Sequence, residues 1–211
     1  MAVTVDELLV ADPPELWDEL GFRVEDDACH IGTVRVRLDS RAGKRIVSWS
    51  LRDCASDALD GLATTPSSSP PRDAGEPHPN GVIAIDHVVA FSPDLDRTVA
   101  TLEAAGLDLR RIREEPTPAG APRQAFFRLG EVILECVQLP DAPELDRSRD
   151  AHFWGLALRT ADMDATAAYL GDRLGATRPA VQEGRTIATL QRDAGSTVPL
   201  AFMTVPPREA G

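Results

Sequence analysis

The sequence is short of several things that mark whole classes of protein. Its 211 residues hold three cysteines, and no two of them form a CxxC pair. Cys29, Cys54 and Cys136 are far apart and odd in number, which argues against a disulfide framework or a thiolate zinc site and points to the reduced cytoplasm. No apolar run approaches the ~18 residues that a membrane-spanning helix needs. Residues 1–20 carry acids where a secretion signal would carry a basic stretch, so a cytoplasmic protein is expected. Positive charge is scarce as well: 22 basic against 34 acidic side chains give a net charge of −12. Nucleic acid and membrane are therefore excluded as main partners, because both select a basic surface. Missing too are GxGxxG, GxxxxGK, HExxH and GxSxG, so dinucleotide-dependent, kinase and serine-hydrolase chemistries have no support.

What is there suffices for a packed fold. Apolar residues make up 43% and charged residues 27% of the chain, ordinary values for a globular protein. Residues 64–80, TTPSSSPPRDAGEPHPN, lack any large apolar side chain. Such a stretch buries too little surface to offset the entropy of ordering it, and it is read as a linker. It leaves a small N-terminal part, 1–63, which would be marginal alone and is expected to dock on the larger part.

Internal repetition carries the most information. Residues 81–91, GVIAIDHVVAF, form an apolar, β-branched run and are expected to be a strand. Residues 94–105 follow as a helix, with Leu95, Val99 and Leu102 at helical spacing, Ser92 as the cap and Gly106 as the stop. Residues 110–114, 124–129 and 132–139 supply three further strands, so the order is βαβββ. The order returns after His152: a strand over 153–160, a helix over 164–174, and strands over 186–191 and 198–205. The closing strands align without a gap, VILECVQLP (132–140) on VPLAFMTVP (198–206), and Val88 and Ala90 align with Leu156 and Leu158. The two modules are thus placed at 81–140 and 152–206. A degenerate βαβββ-like module fills 1–63, where Val5-Asp6-Glu7 matches Ile85-Asp86-His87, and residues 46–62 look like the start of another unit, IVSWSLRD (46–53) matching FWGLALRT (153–160).

Paired βαβββ units with a histidine in the first strand (IDHVVAFSPDLD, 85–96) and a glutamate in the last (GEVILECVQL, 130–139) resemble the vicinal oxygen chelate superfamily of glyoxalases, bleomycin-resistance proteins and extradiol dioxygenases. The resemblance covers about 82–206, with an echo in 3–62. It implies an α+β fold of repeated βαβββ modules forming cupped mixed β-sheets with flanking helices. It also implies one divalent metal, iron, manganese, zinc or nickel, in the cup as cofactor, held by His87 and Glu135 as ligands. Alternation along strands agrees, since His87, Val89 and Phe91 share one face and Ile133, Glu135 and Val137 another, so the pair can converge.

The second unit departs from the pattern. Gly155 and Ala201 stand where a second histidine and glutamate would be, and Glu7, Arg37 and Ser48 occupy the matching places in the N-terminal copies. His152, three residues from Gly155, is placed on the opposite face. Glu135, a carboxylate amid apolar neighbours, needs a partner or a task and is the candidate catalytic residue. Phe91 and Arg159 are candidate substrate-binding residues, Arg159 for an anionic group. His30 and His78 are expected to be solvated, and Trp17, Trp49 and Trp154 to make core or module contacts. Two functions stay open: a metal-dependent lyase, isomerase or dioxygenase, and a metal-free small-molecule binding or sequestering protein in which Gly155 and Ala201 widen the pocket. The partner in either case is a small-molecule ligand, and the incomplete modules leave room for pairing in a homodimer.

Overall fold

The computed structural model describes residues 2–116, 120, 122–140 and 145–205; the last residue of the expected second module, 206, lies outside them. The N-terminal part builds β1 (Thr4–Val10), α1 (Pro14–Glu19), β2 (Ala28–Ile31), β3 (Val34–Leu38), β4 (Ile46–Arg52) and β5 (Thr64–Ser67). These strands form a sheet in the order β2-β3-β1-β4-β5. Two modules follow: β6 (Val82–Ser92), α2 (Leu95–Ala104), β7 (Asp108–Arg113), β8 (Gln124–Leu129) and β9 (Val132–Gln138), then β10 (His152–Thr160), α3 (Met163–Leu170), β11 (Arg178–Pro179), β12 (Thr186–Thr189) and β13 (Leu200–Thr204). They share one eight-stranded sheet, β11-β12-β13-β10-β6-β9-β8-β7, so the fold is α+β with βαβββ modules, as the repeats imply.

The register displays the duplication. β6 runs antiparallel to β10 with Val88 opposite Leu156, the residues that the repeat alignment superimposes. β9 lies parallel to β6 with Glu135 beside Val89, and β13 lies parallel to β10 with Ala201 beside Ala157, the equivalent pairing. One face of this sheet is the core: Val88, Leu134, Cys136, Leu158, Leu200 and Phe202 are fully buried. Each such side chain contributes about 1.5–3 kcal/mol by leaving water. The other face, which carries His87, Phe91, Ile133 and Glu135, is only half-buried.

Several local expectations shift. Ser92 still belongs to β6, and Asp94 caps α2 instead, its carboxylate accepting from the Arg97 backbone amide at 3.1 Å. The second helix ends at Leu170 rather than 174, because Gly171 adopts φ +57 and a 3-10 turn takes over. The N-terminal part holds more than one module, as the match of residues 46–53 to 153–160 implies. β1-α1-β2-β3 lacks a counterpart of β7, while β4 and β5 begin a second copy: β4 is antiparallel to β1 and β5 parallel to β4. β5 falls in the stretch read as a linker. Backbone pairing needs no apolar side chain, and Trp49 Nε1 donates to Thr64 Oγ1 at 2.7 Å. At the far end of that stretch His78 is buried rather than solvated, its Nδ1 accepting from the Arg23 amide at 3.0 Å and its ring packed edge-on to Phe22. Both sheets share one core, where Trp49 on β4 meets Phe153 on β10 with ring centroids 5.1 Å apart.

Candidate functional site

Residues of opposite parity on a strand point to opposite faces, yet Asp86 and His87 lie on the same one. The cause is a β-bulge: Ile85 is opposite Leu158 and His87 opposite Ala157, which leaves Asp86 as the extra residue. From β9, Glu135 Oε2 approaches His87 Nε2 at 3.2 Å, so the two residues singled out by strand alternation do meet. Gln124 on β8 donates its side-chain amide to the other Glu135 oxygen. Asp86 Oδ2 lies 3.1 Å from His87 Nδ1. Two arginines hold Asp86 in turn: Arg185 at 2.8 and 3.2 Å, and Arg159 Nε at 3.2 Å. Arg185 is itself buried, and its Nε donates to the Thr204 carbonyl at 2.8 Å.

Burial disfavours a charged imidazole, but the hydrogen bonds and charges of Asp86 and Glu135 more than offset it and raise the His87 pKa to about 9. His87 is therefore an imidazolium at neutral pH. Burial likewise pushes the Asp86 carboxyl up, and its hydrogen bonds to His87 and Arg185 outweigh that and hold it well below the usual carboxylate range. The result is a chain of alternating charge, Glu135, His87, Asp86, Arg185, laid across a face whose other members include Phe91, Ile133, Val137 and Phe126.

Arg159 uses only Nε on Asp86; its two terminal nitrogens have no partner among the described residues, and its side chain is 26% exposed. Phe91 stacks on Trp154 at 5.1 Å and 28°. Trp154 is a second bulge, with Phe153 opposite Ala90 and Gly155 opposite Val89. That extra residue reverses parity, so His152 stands directly opposite Phe91 on the His87 face and not on the other one. Four residues along the strand still separate it from His87, roughly 13 Å. Gly155 does not widen the cup: a Cβ there would lie 2.5 Å from the Pro199 carbonyl oxygen, so the place of a second ligand is filled by backbone. Glu7 is held in the N-terminal sheet by Arg35 at 2.6 Å and Arg37 at 3.0 Å. Among the described residues no group of three or more His, Cys, Asp or Glu side chains converges as a metal site would require.

Two clefts of about 310 and 360 Å³ open elsewhere, in the N-terminal part, one lined by Arg23, Glu25, His30, Arg35 and His78 among others and the second by Pro13, Asp27, Arg37 and Asp39 among others. Their walls mix charges of both signs with a few apolar side chains, and neither includes His87 or Glu135. Sequence alternation missed Asp86, Arg185 and Gln124. The one signal for Asp86 was a charged pair, Asp-His, inside an apolar strand, repeated as Asp-Glu at residues 6 and 7.

Comparison with known proteins agrees with this architecture. Methylmalonyl-CoA epimerase from Mycobacterium tuberculosis is similar in structure, with 20% identity over 62% of this chain and 93% of that one and a TM-score of 0.50. A xylose isomerase-like TIM barrel/4-hydroxyphenylpyruvate dioxygenase fusion protein matches 99% of this chain and 50% of its own at 12% identity, with a TM-score of 0.61. At these identities the likeness speaks for the fold alone. No curated protein matches the sequence. The family model for the Glyoxalase/Bleomycin resistance protein/Dioxygenase superfamily matches residues 84–205, both modules of the eight-stranded sheet. The chain belongs to that superfamily.

Proposed function

We propose that the cup face of the eight-stranded sheet binds a compact small molecule carrying a carboxylate or carbonyl group. Arg159 and the His87 imidazolium take its oxygens, and Phe91, Ile133 and Val137 line its apolar body. The observation that carries this reading is a satisfied but half-buried charge pair set among apolar walls, beside an arginine fork with unused donors. His87 can give a proton to a bound oxygen and Glu135 can take one, so the site supports a lyase or isomerase type of proton transfer as well as plain sequestration.

The superfamily implies a divalent ion at this place, and the residues do not fit a resident metal centre. His87 and Glu135 are two donors, whereas a catalytic centre normally has three protein ligands. Asp86 occupies the other ring nitrogen, the Gly155 place is filled by Pro199, and Glu7 is bound to arginines. The site is accordingly read as metal-independent.

The test is isothermal titration of chelator-treated protein with pyruvate and phenylpyruvate. At least one is expected to bind, and Arg159→Met is expected to weaken it about tenfold or more, the loss of a charge-assisted hydrogen bond. Uptake of one zinc, manganese or nickel ion per chain, abolished by His87→Ala and required for any binding, would overturn the metal-independent reading.

A further inference from the structure

The bulge that brings Asp86 beside His87 also occurs in the other sheet. In β1, Val5 is opposite Leu51 and Glu7 opposite Ser50, so Asp6 is the extra residue, as Asp86 is in β6. Asp6 is paired with Arg52 on β4 and with Arg72; Asp86 is paired with Arg159 on β10 and with Arg185. Arg52 and Arg159 are matching residues of the aligned segments IVSWSLRD and FWGLALRT. An aspartate clamped by two arginines is thus a part of the repeat and fastens the bulge in both sheets. After Asp6 comes Glu7, an anion that can take no hydrogen bond from a carboxylate and is held by Arg35 and Arg37 instead. After Asp86 comes His87, and there the aspartate makes a third contact, to Nδ1.

We propose that Asp86, locked by Arg185, is the positioning residue of His87: it accepts the Nδ1 proton's hydrogen bond and fixes the ring so that Nε2 faces Glu135 and the bound molecule. Three facts carry this. Without the bulge, consecutive side chains would lie on opposite faces and the contact could not form. Arg185 cannot release the carboxylate easily, because its side chain is 4% exposed and its Nε is tied to the Thr204 carbonyl. A buried carboxylate held on Nδ1 fixes the orientation of the ring and hence the direction in which Nε2 points. The charged groups around His87 are Asp86 on its own strand, Glu135 on β9, Arg159 on β10 and Arg185 before β12. The raised pKa of His87 is consistent with two carboxylates acting on it together.

The proposal rests on the cup being the ligand site, but its test reads the ring directly and needs no ligand. Long-range nitrogen–proton NMR of the full-length chain with labelled histidine reports which ring nitrogens are protonated and at what pH. Wild type is expected to show Nδ1–H protected from exchange. Asp86→Asn, whose amide oxygen still accepts, is expected to keep that proton while the His87 midpoint falls by about one pH unit or more. Asp86→Ala is expected to lose the protection and, above its midpoint, to keep its remaining proton on Nε2 against Glu135. Asp6→Ala removes the matching clamp and is expected to destabilise its own sheet while leaving the His87 signals in place, which separates positioning from fastening. Unchanged His87 signals and midpoint in both Asp86 variants, or equal changes in Asp6→Ala, would overturn the proposal. Should Asp86→Ala not fold, the shift in Asp86→Asn decides alone. Wild-type protein that binds none of the small molecules above, with His87 responding as described, would remove the ligand reading and leave the positioning role standing.

Discussion

In β1 and in β6 the chain makes the same bulge at an aspartate, yet what surrounds the following residue differs. Glu7 is no more exposed than His87, but its charge is neutralised by Arg35 and Arg37, whose side chains are 32% and 43% exposed. His87 faces Glu135 within a surface that also holds Ile133, Val137 and Phe126. A charge pair in high dielectric contributes little, whereas one beside apolar walls is strengthened and available to a ligand that displaces the remaining water. Identical backbone geometry therefore gives a scaffold in one sheet and a candidate site in the other, because the neighbours decide the chemistry.

That comparison can be broken or sharpened in several ways. The largest effect is expected from Trp49→Ala, which removes the ring that joins the two sheets at Phe153: a loss of about 3–5 kcal/mol in urea denaturation. A denaturation midpoint unchanged from wild type would show that the sheets do not depend on this contact. Next is pH. The folded-state pKa of His87 is about 9 against an ordinary value near 6.5, so its stabilising contribution is complete below about pH 6.5 and is lost as pH rises through 9. The decline should reach at most about 3 kcal/mol, and His87→Gln should flatten it; a profile that stays level from pH 6.5 to 9.5 would contradict the imidazolium. Gly155→Ala is expected to lose about 1–3 kcal/mol by pressing a methyl into the Pro199 carbonyl, and neutral behaviour in thermal unfolding would mean that the second-module place can open. Smallest is Glu7→Gln, expected below about 1 kcal/mol because its arginine partners are 32% and 43% exposed. A larger loss would mean that the N-terminal pair is more than a surface ion pair.

Much of this was legible in the chain. The gapless alignment of 132–140 on 198–206 translates directly into matching registers, since a strand has a fixed period of two. His87 and Glu135 could be brought together by counting alone, because no irregularity lies between His87 and Phe91 or along β9. Counting failed wherever a bulge intervened. Asp86 and Trp154 each reverse the parity of what precedes them, and a bulge leaves no mark in composition. Counting from the sequence therefore puts His152 on the wrong face and passes over Asp86. Arg185 comes from a loop and enters the site only through the fold, and β5 pairs through its backbone with side chains that look like a linker.

The ends of the two sheets carry a further consequence. β5 contains Pro66 and β11 is a two-residue strand ending at Pro179, while β7, DLRRIR, is studded with arginines. Prolines, brevity and charge are the devices by which an outermost strand refuses to template another chain. Three of the four borders are blunted in this way, so recruitment of strands from a second molecule is discouraged everywhere but at β2. A protein that exposes unpaired backbone on this scale can therefore be concentrated with less risk of fibrous aggregation than its strand content alone would suggest.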